Sequence, residues 1–145
     1  MATLNPYLNF LGNTEEVFNF YRSVFGGEFQ VVMRFKDMPA EMLANIPEDY
    51  YEKLMHISLP ISGDSVLMGS DALESMGGPL IAGTNFTISI STKSQEETDK
   101  IFNGLSAGGV VTMPLQQTFW SASFGMFTDK FGVQWMVNYD INEQA

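Results

Sequence analysis

The chain has 145 residues, 45% of them hydrophobic, enough for one domain of ordinary size with a real core. A net charge of −10 with only seven Lys and Arg argues against nucleic acid, since phosphate binding needs a basic face. The absence of cysteine excludes disulfides, thiolate nucleophiles and cysteine metal sites, and no apolar run is long enough to span a bilayer.

The opening MATLNPYLNF lacks a basic region followed by an apolar run, so no signal peptide is expected and the chain reads as cytoplasmic. Tyr7–Leu11 reads as a short strand. A helix follows over Thr14–Phe25, with Asn13 positioned to cap it and Glu15-Glu16 in its positive first turn. Val17, Phe18, Phe20, Tyr21, Val24 and Phe25 recur at helical spacing, and Gly26-Gly27 ends the run. A second strand is expected over Phe29–Phe35. Asp37–Glu52, with two prolines, a Met-rich helical turn at Ala40–Ala44 and the Tyr50-Tyr51 pair, reads either as a lid-like insertion or as a long connection. Lys53–Ile61 and Ser65–Ser70 are two further strands joined by a hairpin at Ser62-Gly63-Asp64.

Leu73–Gly83 is rich in small residues and reads as a connector, after which the pattern returns. Asn85–Ser91 is a strand, and Ser94-Gln95-Glu96-Glu97 is a capping box opening a helix that buries Thr98, Ile101, Phe102 and Leu105. Val110–Leu115 is the next strand. Phe119 and Trp120 then sit in a loop before a final hairpin, Phe124–Thr128 and Val133–Tyr139, turned by Asp129-Lys130-Phe131-Gly132. Aligned on their helices, the halves superpose Glu15-Glu16 on Glu96-Glu97 and Phe20-Tyr21 on Ile101-Phe102. A repeat of this length implies two pseudo-symmetric modules, about 4–72 and 84–140 with a connector at about 73–83, within one α+β domain spanning 1–145.

Strand alternation divides each sheet into two faces. Met55, Ile57, Leu59 and Ile61 are expected to meet the helices, as are Phe86, Ile88 and Ile90, and Leu8 and Phe10. Opposite them lie His56, Ser58, Tyr7, Asn9, Asn85, Thr87, Ser89 and Asn138. A solvated antiparallel sheet accounts for such a face without any function. Two modules curling these faces together would make a polar cleft, roofed by Trp120 and the Asp37–Glu52 segment.

The residues Pro6-Tyr7-Leu8-Asn9-Phe10, Phe20-Tyr21 with Phe25-Gly26-Gly27, Met55-His56, Leu67-Met68-Gly69-Ser70-Asp71, Thr112-Met113-Pro114-Leu115, Thr118-Phe119-Trp120, Phe124-Gly125, and Asp129-Lys130-Phe131-Gly132-Val133 with Trp135 run in order along the chain. In these the sequence resembles the vicinal oxygen chelate superfamily of glyoxalase I, bleomycin resistance proteins and extradiol dioxygenases. It is closer to the PhnB-like branch, also labelled 3-demethylubiquinone methyltransferase-like. The resemblance implies paired βαβββ modules, an open barrel-like cleft and a homodimer. Ligands in the metal-using members would fall near Pro6, Met68, Asn85 and Met136 here, none a good ligand. With His56 the only histidine, a site of two His and a carboxylate cannot be built within one chain. No metal and no cofactor are therefore expected, and metal-dependent glyoxalase, dioxygenase and fosfomycin-type activities are not. A methyltransferase would be expected to carry a Gly-rich strand-to-helix turn followed by a ribose-binding acid, and the sequence has none.

The candidate ligand-binding residues are His56, Asn9, Tyr7, Asp71, Asn85, Phe119, Trp120 and Asn138, with His56 also the catalytic candidate. His56 reads either as a hydrogen-bonded strand histidine or as a donor or proton acceptor lining the cleft. Asp71 is a turn residue or a counter-charge for His56 or a cation. Phe119 and Trp120 stack on a ligand or on a partner copy. Arg34 is a solvated strand arginine or an anion holder, and Met38, Met42, Met68 and Met136 are core filler or an adaptable pocket lining. The expectation is a small-molecule binder with a homodimeric partner and no nucleic-acid or membrane partner, and the acidic charge would suit a cationic guest. The alternative is an enzyme on the same cleft, either metal-free with His56 as the acid–base residue or metal-assisted, of lyase or isomerase type, with unusual ligands.

Overall fold

The structure, a computed structural model, describes residues 2–139, apart from the side chain of Met76. Residue 140, the expected end of the second module, lies outside the described residues. The chain divides into two compact units between Ile81 and Ala82.

Unit 1 runs β1 (Tyr7–Phe10), α1 (Thr14–Phe25), β2 (Val31–Arg34), a 3-10 turn (Phe35–Asp37), α2 (Ala40–Leu43), a second 3-10 turn (Glu48–Tyr50), β3 (Leu54–Ser62), β4 (Ser65–Asp71) and α3 (Glu74–Gly77). Unit 2 runs β5 (Ile88–Thr92), α4 (Gln95–Ser106), β6 (Val110–Gln116), β7 (Ser123–Thr128) and β8 (Gln134–Tyr139). The sheet orders are β1-β4-β3-β2 and β5-β8-β7-β6. In each, the first strand pairs in parallel with the last and the other neighbours are antiparallel. The βαβββ pattern is thus present twice, as the repeat predicts.

The two long helices, α1 and α4, each bury an apolar stripe on the sheet of their own unit. Val17, Phe18, Tyr21 and Val24 of α1, and Thr98, Ile101, Phe102 and Leu105 of α4, are buried. Phe18 presses on Gly69 of β4 and Phe102 on Gly125 of β7, which fixes the helix-covered face of each sheet. Phe102 also meets Phe127 edge-on at 5.2 Å.

The cap of α1 differs from expectation. Asn13 makes no side-chain cap. The buried carboxylate of Asp71 takes its place, with Oδ1 accepting from Thr14 N–H at 3.0 Å and Thr14 Oγ1 at 2.7 Å. A full negative charge at the positive helix end outcompetes a neutral amide. For α4, Ser94 Oγ accepts from Glu97 N–H as predicted, while the Glu97 carboxylate reaches the Lys93 N–H rather than that of Ser94.

Two strand expectations also shift. Arg34 lies opposite Leu54 and Met33 opposite His56, so Met55 is the extra residue of a bulge. The bulge reverses the alternation, and fully buried Leu54 takes the helix-side place expected of half-exposed Met55. β5 begins at Ile88 rather than Asn85, and its parallel pairing with β8 starts there, Ile88 lying opposite Trp135. Phe86, expected in the core, is 58% exposed, and its carbonyl accepts from the Gln134 side chain.

Candidate functional site

On the sheet of unit 1, Leu8, Leu67, Gly69, Ile57 and Leu59 share the helix side. Alternation turns Tyr7, Asn9, His56, Ser58, Met68 and Ser70 to the other side. The register sets Tyr7 beside Met68, Met68 beside Ser58, and Ser58 beside Val31, while Asn9 lies beside Ser70 and His56 beside Met33.

Three of the sequence candidates therefore share a face. The Tyr7 hydroxyl is 3.1 Å from His56 Nδ1, and the two rings stack with centroids 5.6 Å apart. Ser70 Oγ donates to Asn9 Oδ1 at 3.2 Å. Ser58, not singled out from the sequence as a site residue, is only 3% exposed, and its Oγ has no hydrogen-bond partner among the described residues. A strand serine on a polar row looks solvated in sequence; in the sheet its cross-strand neighbours are the apolar Val31 and Met68.

Asp71 stands apart from this set. It alternates with Ser70, in step with Gly69, on the helix side. Besides capping α1, its Oδ2 accepts from Leu54 N–H at 2.8 Å. Both oxygens are thus committed to the fold and neither faces His56.

Asp71 instead helps line a pocket of about 370 Å³ at the start of α1, with Gly12, Glu15, Arg34, Glu52 and Lys53. Its charged groups already have partners, ionic or neutral. Arg34 forks onto both oxygens of Glu15 at 3.1 and 2.7 Å and also donates to the Glu52 carbonyl, while Lys53 Nζ donates to the Gly12 carbonyl. The Arg34 hydrogen bonds hold the Glu15 carboxyl below its ordinary value, against a smaller opposing effect of burial, and the Arg34 guanidinium is raised in turn by its bond to Glu15. Because Glu15 is depressed in the fold, the pair's stabilisation is complete above the ordinary carboxylate value of 4.5 and is lost as pH falls through the folded value. Both groups are partly exposed, so the loss is at most about 1 kcal/mol. Thermal melts of wild type and Glu15→Gln should accordingly converge on acidification; parallel curves would refute the linkage.

In unit 2 the face away from α4 carries Ser91, Asn138 and Phe124 in one row and Ser89, Met136 and Met126 in the next. Asn138 Oδ1 is buried without a partner among the described residues. Trp120 meets Phe124 edge-on at 5.4 Å and Phe119 at 4.7 Å. The loop holding them is tied down by Thr118 N–H to the Ser121 carbonyl and by Ser121 Oγ and Ala122 N–H to the Tyr139 carbonyl. Phe119 is 97% and Trp120 47% exposed, so this ordered loop displays aromatic surface. Asn85 is separate: it is exposed and precedes β5.

A metal does not fit these residues. Among the described residues no three His, Cys, Asp or Glu side chains gather closely enough to hold one, and the neighbours of His56 are a phenol, a hydroxyl and thioethers.

Also among the described residues, no helix is long and apolar enough to cross a membrane. The chain matches the family described as 3-demethylubiquinone-9 3-methyltransferase over residues 2–138. It is similar to the protein PA1353 of Pseudomonas aeruginosa, at 41% identity with a TM-score of 0.83, covering 97% of this chain and 98% of that one. It also resembles in fold a PhnB protein of Bacillus cereus, at 24% identity and TM-score 0.72 over 95% and 99% of the two chains. A glyoxalase/bleomycin resistance protein/dioxygenase family enzyme of Burkholderia phytofirmans shares the fold at 17% identity and TM-score 0.59, over 94% and 95%.

Proposed function

The chain belongs to the 3-demethylubiquinone-9 3-methyltransferase family, the PhnB-like branch of the glyoxalase/bleomycin resistance superfamily, and from that premise we propose that it binds a small organic molecule without a metal on the polar sheet face around His56. The observation that carries this reading is the joint arrangement, on one side of one sheet, of Tyr7, Asn9, His56 and Ser58, whose buried hydroxyl has no partner among the described residues. A buried hydroxyl without a partner costs about 1–3 kcal/mol, a cost that a bound group with a matching atom removes. In the same reading the protein is a cytoplasmic homodimer, and Phe119 and Trp120 supply aromatic surface to a ligand or to the partner copy. Methyl transfer is not part of it: the β1–α1 connection, Leu11-Gly12-Asn13, carries a single glycine and does not resemble a nucleotide-binding turn.

A second reading, an acid–base enzyme on the same face, is favoured by the hydrogen bond between Tyr7 and His56. His56→Ala separates the two. As a binder the variant keeps its ligand with affinity weakened about fivefold, the value of one hydrogen bond near 1 kcal/mol. As an enzyme it loses turnover. Native mass spectrometry with elemental analysis of the purified protein is the prior test: a dimer without stoichiometric metal is expected, and a stoichiometric metal would overturn the metal-free reading.

A further inference from the structure

We infer that this face is a hydrogen-bond-donor platform for an uncharged carbonyl oxygen on an otherwise apolar molecule, and that Tyr7 is the positioning residue that fixes which nitrogen His56 offers; the inference rests on the binding reading above. The first argument concerns the proton between Tyr7 and His56. A phenol is a stronger hydrogen-bond acid than a neutral imidazole N–H, and an imidazole nitrogen is a stronger base than a phenol oxygen. The Tyr7 hydroxyl therefore donates to Nδ1 across the 3.1 Å contact, and the stacked rings hold that alignment. Neutral His56 then carries its own proton on Nε2, which makes the free nitrogen a donor rather than a base.

The neighbouring groups offer the same chemistry. Asn9 has its oxygen engaged by Ser70, which leaves its amide N–H pair to donate. Ser58 has a buried hydroxyl with no acceptor among the described residues. Around these donors stand Val31, Met33 and Met68, all apolar, the two methionines also adaptable.

Charge decides between guests. The charged side chains of β2 and β4 are Arg34 and Asp71. Arg34 pairs with Glu15 of α1 and Asp71 caps α1, so both are directed to the helix side. The face itself carries Tyr7, Asn9, Val31, Met33, His56, Ser58, Met68 and Ser70, all neutral when His56 is neutral. The acidity of the whole chain is thus not expressed here, and the cationic guest suggested by net charge gives way to a neutral acceptor.

The single histidine makes the test unambiguous, because one imidazole gives one set of ring signals. Long-range proton–nitrogen correlation on nitrogen-15-labelled protein, at about pH 8 and so above the ordinary histidine range, should find His56 wholly in the Nε2–H form. Tyr7→Phe should return it to a mixture of tautomers. A dominant Nδ1–H form, or a Tyr7→Phe spectrum identical to wild type, overturns the positioning role, and no ligand is needed to learn this. Acetophenone, α-methylstyrene and 1-phenylethylammonium share one carbon skeleton and are then titrated in turn. Acetophenone should shift His56 Nε2 and bind at least about fivefold more tightly than α-methylstyrene, the value of one hydrogen bond. Tighter binding of the ammonium, or no preference for the ketone, overturns the ligand class while leaving the binding reading intact. No shift with any of the three overturns both, whatever the tautomer.

Discussion

Replacing Asp71 by Ala is expected to lower the melting temperature by on the order of 10–20 °C. The carboxylate is buried and accepts from Thr14 N–H, Thr14 Oγ1 and Leu54 N–H, so it joins the end of β4 to the start of α1 and the start of β3. Alanine leaves those donors without their acceptor, two of them backbone N–H groups beside the pocket at the start of α1. At about 1–3 kcal/mol for each buried donor left unpaired, the total is on the order of 3–5 kcal/mol after partial relaxation. For a chain of this size each kcal/mol moves the midpoint by a few degrees. Asp71→Asn keeps one acceptor oxygen and should recover roughly half the loss. Circular dichroism melts decide the matter: a Tm for Asp71→Ala within two or three degrees of wild type would mean that the latch contributes little. If His56 chemistry is instead measured in a refolded sample, Asp71→Asn should leave it unchanged, since the carboxylate lies on the other side of the sheet.

The second large effect is expected at Gly69. A β-carbon there would sit 2.7 Å from Phe18 Cε1 and 2.9 Å from the Leu8 carbonyl oxygen. Phe18 is fully buried and has nowhere to turn, and the Leu8 carbonyl belongs to the parallel ladder between β1 and β4. Neither neighbour yields cheaply, so Gly69→Ala should cost about 3 kcal/mol, the upper end of ordinary overpacking. Gly125 repeats the arrangement in unit 2, where the added carbon would meet Phe102 Cε2 at 2.5 Å. Gly77→Ala is the control: nothing lies within 4 Å, and the change should be neutral or slightly stabilising. Equal melting temperatures for Gly69→Ala and Gly77→Ala would contradict the close approach of α1 to its sheet.

Much of this architecture was legible in the sequence because it is written in short-range periodicity. The helical spacing of Val17, Tyr21 and Val24, the capping serine Ser94 and the Asp129–Gly132 turn are all local signals. Asp129 even performs the turn as expected, its Oδ1 accepting from Phe131 and Val133 N–H. Alternation likewise set Tyr7, Asn9 and His56 on one side of their sheet. What the sequence hid is long-range. Nothing near Asn13 announces that an aspartate 57 positions away from Thr14 will cap α1. The bulge at Met55 lies in the pairing with β2, and the start of β5 is marked by its parallel pairing with β8, a strand some fifty positions on. Ser58 was hidden as well, since alternation alone puts a strand serine on the polar side and does not show that it is buried.

The parallel closure of each sheet has a consequence for how the chain is made. Among the described residues β1 pairs only with β4, so Tyr7 waits for Met68, and β5 pairs only with β8, so Ile88 waits for Trp135. The intervening loops of about 60 and 50 residues differ in closure entropy by well under 1 kcal/mol, so neither sheet is favoured by that cost. Order of synthesis breaks the tie. Once Asp71 has left the ribosome the first sheet holds every strand it uses, and it can close while β5 and α4 are still being added. Until then the amphipathic first strand has no ladder to join, and each half of the nascent chain passes through an interval in which its opening strand is an unpaired edge that a chaperone, or a neighbouring polysome's product, is free to capture.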